Sequence, residues 1–108
     1  LEQIERHSSL ASSIITQMEL LIGCRNKTEL RKMERFFKAF QTIKLNEAMC
    51  DIAMELLHQY RLSHGLSIPD AMIAATAMFL NISFVSKNQR HYRYIQELKL
   101  SPYPTVLS

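Results

Sequence analysis

Two acidic residues stand where the sequence predicts helices to begin. Glu19 closes the T-x-x-E pattern of residues 16–19, and Asp70 closes the S-x-x-D pattern of residues 67–70. Each carboxylate is explained on its own as part of a helix cap, which stabilises a protein by about 0.5–2 kcal/mol. Asp70 nevertheless stands out, because it is the one charged residue in IPDAMIAATA. A second role for these acids therefore has to be considered.

That second role is the binding of a divalent cation. If both helices begin at the same edge of a sheet, their carboxylates repel each other unless a cation lies between them. Hard ions such as Mg²⁺ are bound by one or two carboxylates together with water and substrate phosphates. The sequence allows this arrangement for Glu19 and Asp70, but it does not place the two side chains within reach of each other. Both interpretations stay open at this point.

Short apolar segments alternate with amphipathic helices along the chain. The predicted strands are residues 11–15, 42–45 and 82–86. The predicted helices are residues 16–23, a second helix capped by Thr28 or Asn26 that runs to about residue 40, and residues 46–65, 67–81 and 89–98. Residues 1–7 are predicted to end a helix, and no two strands are close enough for a hairpin. The pattern predicts an α/β fold with a parallel sheet flanked by helices. Ligands of such folds gather at the carboxyl ends of the strands.

Composition limits the classes of protein that fit. The chain has 108 residues, of which 47% are hydrophobic and 21% charged, so we expect one soluble globular domain over residues 1–108. No apolar run approaches the roughly 18–20 residues that cross a bilayer, and we expect no membrane partner. Two cysteines, Cys24 and Cys50, without a C-x-x-C pattern predict buried free thiols and a cytoplasmic location. The net charge of +3 weakly favours an anionic partner.

Three segments combine into a more specific signal. They are SSIITQMELLIG (residues 12–23), GLSIPDAMIAATAMFLNISFVSKN (residues 65–88) and SKNQRHYRYIQELKL (residues 86–100). The first resembles the strand and glutamate-bearing helix of the PIN-domain family, in particular its VapC-like toxins. The second resembles the D-x-x-I-A-A helix of that family, and the third its T-x-N-x-x-(D/H)-F segment. The resemblance extends from about residue 10 to about residue 100.

The resemblance implies a metal-dependent endoribonuclease. Glu19 and Asp70 would then be ligands of Mg²⁺ or Mn²⁺, and Asn88 would be a further catalytic residue that borders the metal pocket. Such an ion activates a water molecule for attack on phosphorus and stabilises the charge that gathers on the phosphate oxygens. The resemblance also implies an RNA substrate, a cognate antitoxin that neutralises the toxin, and a homodimer.

The chain departs from the family pattern at two points. PIN domains have an aspartate at the end of a first strand, and no such segment precedes residue 10. We therefore expect an N-terminally truncated PIN-like domain that lacks the first, central strand, between the strands at 11–15 and 82–86. His91 stands where many relatives have aspartate. The alternative to an active nuclease is a catalytically incompetent interaction domain that keeps only its dimer or antitoxin surfaces.

Basic and aromatic residues alternate in the third segment. Lys87, Arg90 and Arg93 interleave with Tyr92 and Tyr94, a pattern typical of a surface that binds single-stranded RNA. The alternative is an amphipathic helix whose tyrosines pack inward, and the sequence does not choose between the two. The remaining residues with chemical or packing interest are expected to be structural or exposed. They are the histidines His58, His64 and His91, and the core methionines Met49, Met54, Met72 and Met78.

Overall fold

The computed structural model describes residues 3–6, 9–86 and 89–101. The strands within these ranges are β1 (Gln3–Arg6), β2 (Ser9–Ser13), β3 (Gln41–Ile43), β4 (Phe84–Val85) and β5 (Leu100–Ser101). The helices are α1 (Ile14–Ile22), α2 (Lys27–Phe37), α3 (Glu47–His64) and α4 (Ile68–Leu80), followed by a 3₁₀ helix (Gln89–His91). This alternation confirms the predicted α/β class. Among the described residues, no helix is long and apolar enough to cross a membrane.

The five strands form one sheet in the order β3-β2-β1-β4-β5. β2 pairs with β3 and β4 pairs with β5 in parallel, whereas β1 runs antiparallel to both β2 and β4. The prediction that residues 1–7 end a helix and that the chain contains no hairpin pairing is therefore wrong for β1. The position of the expected missing strand is occupied by β1, which has the opposite direction and no aspartate. Its backbone pairs with the inner edges of β2 and β4, and this outweighs the local helical pattern.

The starts and ends of α3 and α4 follow the sequence closely. Asn46 caps α3 by accepting the Met49 amide at 2.8 Å, and Ser67 caps α4 by accepting the Asp70 amide at 3.2 Å. Both helices end at a left-handed residue, Gly65 with φ of 70° and Asn81 with φ of 53°. Glycine and asparagine are the residues that adopt this conformation most easily. The predicted boundaries of these two helices are confirmed.

The start of α1 differs from its prediction. The helix begins at Ile14, and its cap is Ser13, whose hydroxyl accepts the Ile15 amide at 3.1 Å. Thr16 is consequently not the cap, and Glu19 lies in the second turn of the helix. The predicted strand had included residues 14 and 15 because they are β-branched. A serine in extended conformation satisfies a free helical N–H, and this local hydrogen bond outweighs the strand preference.

The chain after β4 is a series of turns. A regular helix over residues 89–98 was expected, but the 3₁₀ helix at Gln89–His91 gives way to turns and then to β5. Tyr92, Ile95 and Leu98 are buried at a spacing of three residues. The amide of Ile95 donates to the Tyr92 carbonyl, and the amide of Leu98 donates to the Ile95 carbonyl. Three-residue spacing with such hydrogen bonds is typical of 3₁₀ geometry.

The hydrophobic core lies between the sheet, α3 and α4. On α4 the small residues Ala71, Ala74 and Ala75 are fully buried, which allows α3 and the sheet to approach closely. Among the methionines, Met49 is buried and Met72 and Met78 are partly buried, as predicted. Met54 is 61% exposed, so its assignment to the core is wrong. Cys50 is exposed and Cys24 is only partly buried, so the prediction of two buried thiols is wrong as well. The start of α4 carries Asp70. It is therefore fixed by the packing of α4 against α3, the most extensive helix–helix contact among the described residues.

Candidate active site

Asp70 lies in the first turn of α4, but its carboxylate is not the cap of that helix. The cap is the hydroxyl of Ser67, which leaves the Asp70 side chain available for other partners. Tyr92 Oη donates a hydrogen bond to Asp70 Oδ1 at 2.9 Å. His91 Nδ1 lies 3.6 Å from Asp70 Oδ2. The Asp70 side chain is 21% exposed, so one acid is held at the helix start with partial access to solvent.

For Tyr92, the structure decides between the two interpretations of the third segment. Its ring is fully buried, so it packs inward and is not available for stacking on RNA. Its hydroxyl donates to a carboxylate, and hydrogen bonds to charged acceptors are stronger than neutral ones. Sequence reasoning missed this contact. The available signal was that Tyr92 stands where the family segment has phenylalanine, which adds a hydroxyl to a buried ring.

The carboxyl group of Glu19, on α1, is affected by the charge of Asp70. Although the residue as a whole is exposed, protein atoms displace part of the water around its carboxyl group. This desolvation is the larger cause that raises the pKa of Glu19 above 4.5, and repulsion by Asp70 is the smaller one. A nearby cation would relieve this repulsion. The pair therefore has the electrostatic character that the metal-binding interpretation requires.

The two acids border different depressions of the surface. Asp70 lies in a cavity of about 390 Å³ together with His64, Arg90, His91 and Tyr94. Glu19 lies at the edge of a depression of about 670 Å³ that α1 and α2 form. Asp70 thus has basic and aromatic neighbours, whereas Glu19 lines a separate groove between α1 and α2.

Three rings form an aromatic wall beside Asp70, defined here as Tyr60, His64 and Tyr94. The His64 and Tyr94 rings stack at 4.1 Å with an angle of 10°, and Tyr60 packs 5.0 Å from Tyr94. Burial raises the pKa of Tyr94, and the nearby charge of Asp70 and the Tyr60 hydroxyl add to this effect. Sequence reasoning treated His64 as merely structural or exposed. The available signal was the four-residue spacing of Tyr60 and His64 on α3, which places both rings on one helix face.

The remaining predicted residues fall into three groups. Arg90 is exposed and lines the Asp70 cavity. Arg93 is exposed on the same segment. Lys87 and Asn88 lie outside the described residues. His91 was expected at the surface, and its side chain is indeed 50% exposed, but it also faces Asp70.

Glu19 and Asp70 are the two acids through which this region would bind a hydrated divalent ion. Within residues 3–6, 9–86 and 89–101, no group of three or more histidine, cysteine, aspartate or glutamate side chains is arranged as metal ligands. Glu19 and Asp70 nevertheless supply two oxygen-donor side chains whose charges repel. Mg²⁺ typically retains several waters and uses only one or two protein carboxylates. These two residues would hold the ion, with water completing its coordination.

Comparison with known proteins decides the family. The model of the PIN domain matches residues 1–96. The chain belongs to the PIN-domain family. This match confirms the family that the three sequence segments indicated, and it extends over most of the chain. The α/β architecture, with Glu19 on α1 and Asp70 on α4, is thus that of a PIN domain.

Several proteins of known sequence or structure are similar to this PIN domain. It is 34% identical over 99 residues to "Ribonuclease VapC19" of Mycobacterium tuberculosis, a match that covers 91% of this chain and 78% of that protein. The structure of VapBC-1 from nontypeable Haemophilus influenzae has a TM-score of 0.75 at 22% identity, covering 91% of this chain and 77% of that one. A toxin-antitoxin complex from Klebsiella pneumoniae has a TM-score of 0.70 at 23% identity, covering 85% and 72%. At such identities the structural likeness shows the fold alone.

Proposed function

We propose that this PIN domain is a metal-dependent endoribonuclease toxin of the VapC type. The observation that carries the proposal is the Asp70 carboxylate, which accepts the Tyr92 hydroxyl at 2.9 Å in a cavity that Arg90 also lines. Glu19, whose pKa the charge of Asp70 helps to raise, is the second acid. The supporting comparison is with VapC19, which is named a ribonuclease and matches most of the chain. An acidic pair of this kind is suited to holding Mg²⁺ or Mn²⁺ against a phosphodiester.

Each residue has a distinct part in the proposed reaction. Glu19 and Asp70 bind the ion, and the buried Tyr92 hydroxyl orients Asp70 through its 2.9 Å hydrogen bond. Asn88 is assigned to the reaction as a further catalytic residue on the family motif alone. When bound, the ion supplies an activated water and stabilises negative charge on the phosphate. The chemistry needs no side-chain nucleophile.

We assign substrate binding to the basic residues of the segment after β4. Lys87, Arg90 and Arg93 contact RNA phosphates. Support comes from Arg90, which lines the cavity that contains Asp70 and can place a phosphate beside the acid. Guanidinium groups match the geometry of phosphate oxygens. Single-stranded RNA is the expected substrate, because its unpaired bases and its backbone are both accessible.

The proposed partners are a cognate antitoxin and a second copy of the chain. Support for the antitoxin comes from the Klebsiella pneumoniae structure, which is described as a toxin-antitoxin complex. The antitoxin holds the nuclease inactive by filling the acidic pocket, and the pair acts in the cytoplasm. The alternative of an interaction domain without a metal site is not favoured, because both proposed acids are present and VapC19 is named a ribonuclease.

Cleavage of RNA in defined metal conditions tests the proposal. The protein is expected to cut single-stranded RNA with Mn²⁺ or Mg²⁺ and to be inactive in EDTA. Asp70→Asn is expected to lower kcat/KM on the order of 10²–10³-fold, the usual effect of removing one group that stabilises a transition state. The matched control is Asp51→Asn, which changes an exposed aspartate on α3. Full activity in Asp70→Asn, or cleavage that persists in EDTA, would contradict the mechanism.

A further inference from the structure

The aromatic wall has no part in the proposed metal chemistry, yet two of its three rings border the same cavity as Asp70. His64 and Tyr94 line this cavity of about 390 Å³ together with Asp70 and Arg90. Tyr94 covers one face of the His64 ring in a parallel stack, and His64 is nevertheless exposed to solvent. The face of His64 opposite Tyr94 therefore offers a flat aromatic surface beside the proposed cleavage site.

The aromatic wall is preorganised by contacts among its own rings and by a hydrogen bond between His64 and Ser63. Tyr60 supports Tyr94 at 5.0 Å and meets the edge of His64 at 5.9 Å. Ser63 Oγ lies 2.8 Å from His64 Nδ1, and this hydrogen bond restricts rotation of the imidazole ring. His64 is also the last residue of α3, whose end is fixed by the left-handed Gly65. A ring that is already held in place loses little entropy when a ligand stacks on it.

The size and charge of the cavity fit one nucleotide. Binding cavities for small molecules usually measure about 300–1,000 Å³, and this one lies in that range. Unpaired bases stack on histidine and tyrosine rings largely independently of their identity. Arg90 supplies a positive charge at the same cavity for a neighbouring phosphate, which Asp70 alone would repel.

We propose that the outer face of His64 is a stacking subsite for an unpaired RNA base next to the scissile phosphate. Arg90 contacts the adjoining phosphate. The subsite rests on the proposed ribonuclease function and adds to it a specific position at which a base is bound. It also explains why an aromatic stack at the end of α3 faces the same cavity as the acid at the start of α4.

A binding cycle with intact and abasic RNA tests the subsite. The Kd of a short single-stranded RNA is measured in EDTA, so that no cleavage occurs, for the wild type, His64→Ala and His64→Phe. Loss of one base stack weakens binding by roughly 5- to 100-fold, and this is the expected effect of His64→Ala. His64→Phe keeps a ring and is expected to bind close to wild type. The matched control is His58→Ala, an exposed histidine of α3 that lines a different depression with Met54.

The same RNA is then prepared with an abasic ribose at each position in turn. At one position, loss of the base should weaken binding to the wild type to the level at which intact RNA binds His64→Ala. His64→Ala itself should bind this abasic RNA and the intact RNA equally well. An equal loss for intact RNA and for every abasic RNA would overturn the subsite, as would equal weakening by His64→Phe and His64→Ala. Unfolding midpoints verify that the variants fold. If His64→Ala is unstable, His64→Phe and the abasic series in the wild type decide.

The outcomes separate this proposal from the ribonuclease proposal itself. If the wild type cleaves RNA with Mn²⁺ but His64→Ala binds RNA with the same Kd as the wild type, the stacking subsite alone is overturned. A wild type that neither binds nor cleaves RNA overturns the ribonuclease function and, with it, the subsite.

Discussion

The two helices that carry the acids, α1 and α4, begin in different ways. At α4 the Ser67 hydroxyl accepts the Asp70 amide, so Asp70 lies in the first turn and its carboxylate is oriented by Tyr92. At α1 the cap is Ser13, so Glu19 lies in the second turn. Thr16 Oγ1 is buried and has no hydrogen-bond partner among the described residues. One helix therefore presents a carboxylate held by the Tyr92 hydrogen bond, and the other presents a carboxylate on an exposed face.

Because α1 and α4 begin differently, the two acids have different properties. Asp70 is positioned before any ligand arrives, because its helix start lies against the core and its oxygen accepts the Tyr92 hydroxyl. Glu19 is marked by the raised pKa of its carboxyl group, which reflects desolvation and the charge of Asp70. We infer that Asp70 fixes the position of the proposed ion and that Glu19 adjusts to it.

After the loss of Asp70 itself, the largest expected effect on activity comes from removal of the Tyr92 hydroxyl. Tyr92→Phe leaves the buried ring in place but deletes the hydrogen bond to Asp70 Oδ1. Loss of a group that orients a metal ligand typically costs 10–100-fold, so we expect kcat to fall by about 10-fold while KM stays nearly constant. Steady-state RNA cleavage with Mn²⁺ measures both constants.

The control for that substitution is Tyr60→Phe, which removes a hydroxyl from another buried tyrosine of the same region. It should leave kcat close to that of the wild type. If Tyr92→Phe and Tyr60→Phe behave alike, or if Tyr92→Phe changes only KM, Tyr92 does not position Asp70.

A second comparison concerns the stability of the two helix starts. Ser67→Ala removes the cap of α4 and is expected to lower the free energy of unfolding by about 1 kcal/mol. Thr16→Val replaces a buried hydroxyl that has no partner with a methyl group of similar size. Because a buried unpaired hydroxyl is unfavourable, Thr16→Val is expected to be neutral or stabilising. Urea unfolding of both variants measures the two changes, and a clear loss of stability in Thr16→Val would show that the Thr16 hydroxyl is paired.

The smallest expected effect is a pH dependence that comes from Glu19. The pKa of this carboxyl group is higher in the folded protein than its ordinary value of 4.5. The folded state therefore binds the Glu19 proton more tightly than the unfolded state does. The contribution of this protonation to the stability of the folded state is fully present below pH 4.5. This contribution is lost as the pH rises through the folded-state pKa. Urea unfolding of the metal-free protein across this range should show it, and Glu19→Gln should abolish it; an identical pH profile for Glu19→Gln would contradict the assignment.

Features that depend on local chemistry could be predicted from the sequence. Asn46 and Ser67 cap the helices that follow them, and Gly65 and Asn81 end α3 and α4, because each of these conformations is decided within a few residues. The three motif segments identified the family correctly. The helix positions of Asp70 and of the core residues of α3 followed from the same local patterns.

Features that depend on distant partners could not be predicted. β1 reads locally as helix and becomes a strand because β2 and β4 offer it backbone hydrogen bonds. Glu19 was placed in a first turn because T-x-x-E resembles a cap, but Ser13 competes for the same role. The contact between Tyr92 and Asp70 joins residues 22 positions apart. No local pattern specifies such a pairing.

The most direct measurement is a calorimetric titration of the metal-free protein with Mn²⁺, repeated for Glu19→Gln, Asp70→Asn and the double variant. If the two side chains hold one ion together, the wild type binds one Mn²⁺ per chain at millimolar metal or below. Each single variant then loses most of that affinity, and the double variant loses little more. Unchanged Mn²⁺ binding in both single variants, or no binding by the wild type, would contradict the shared site.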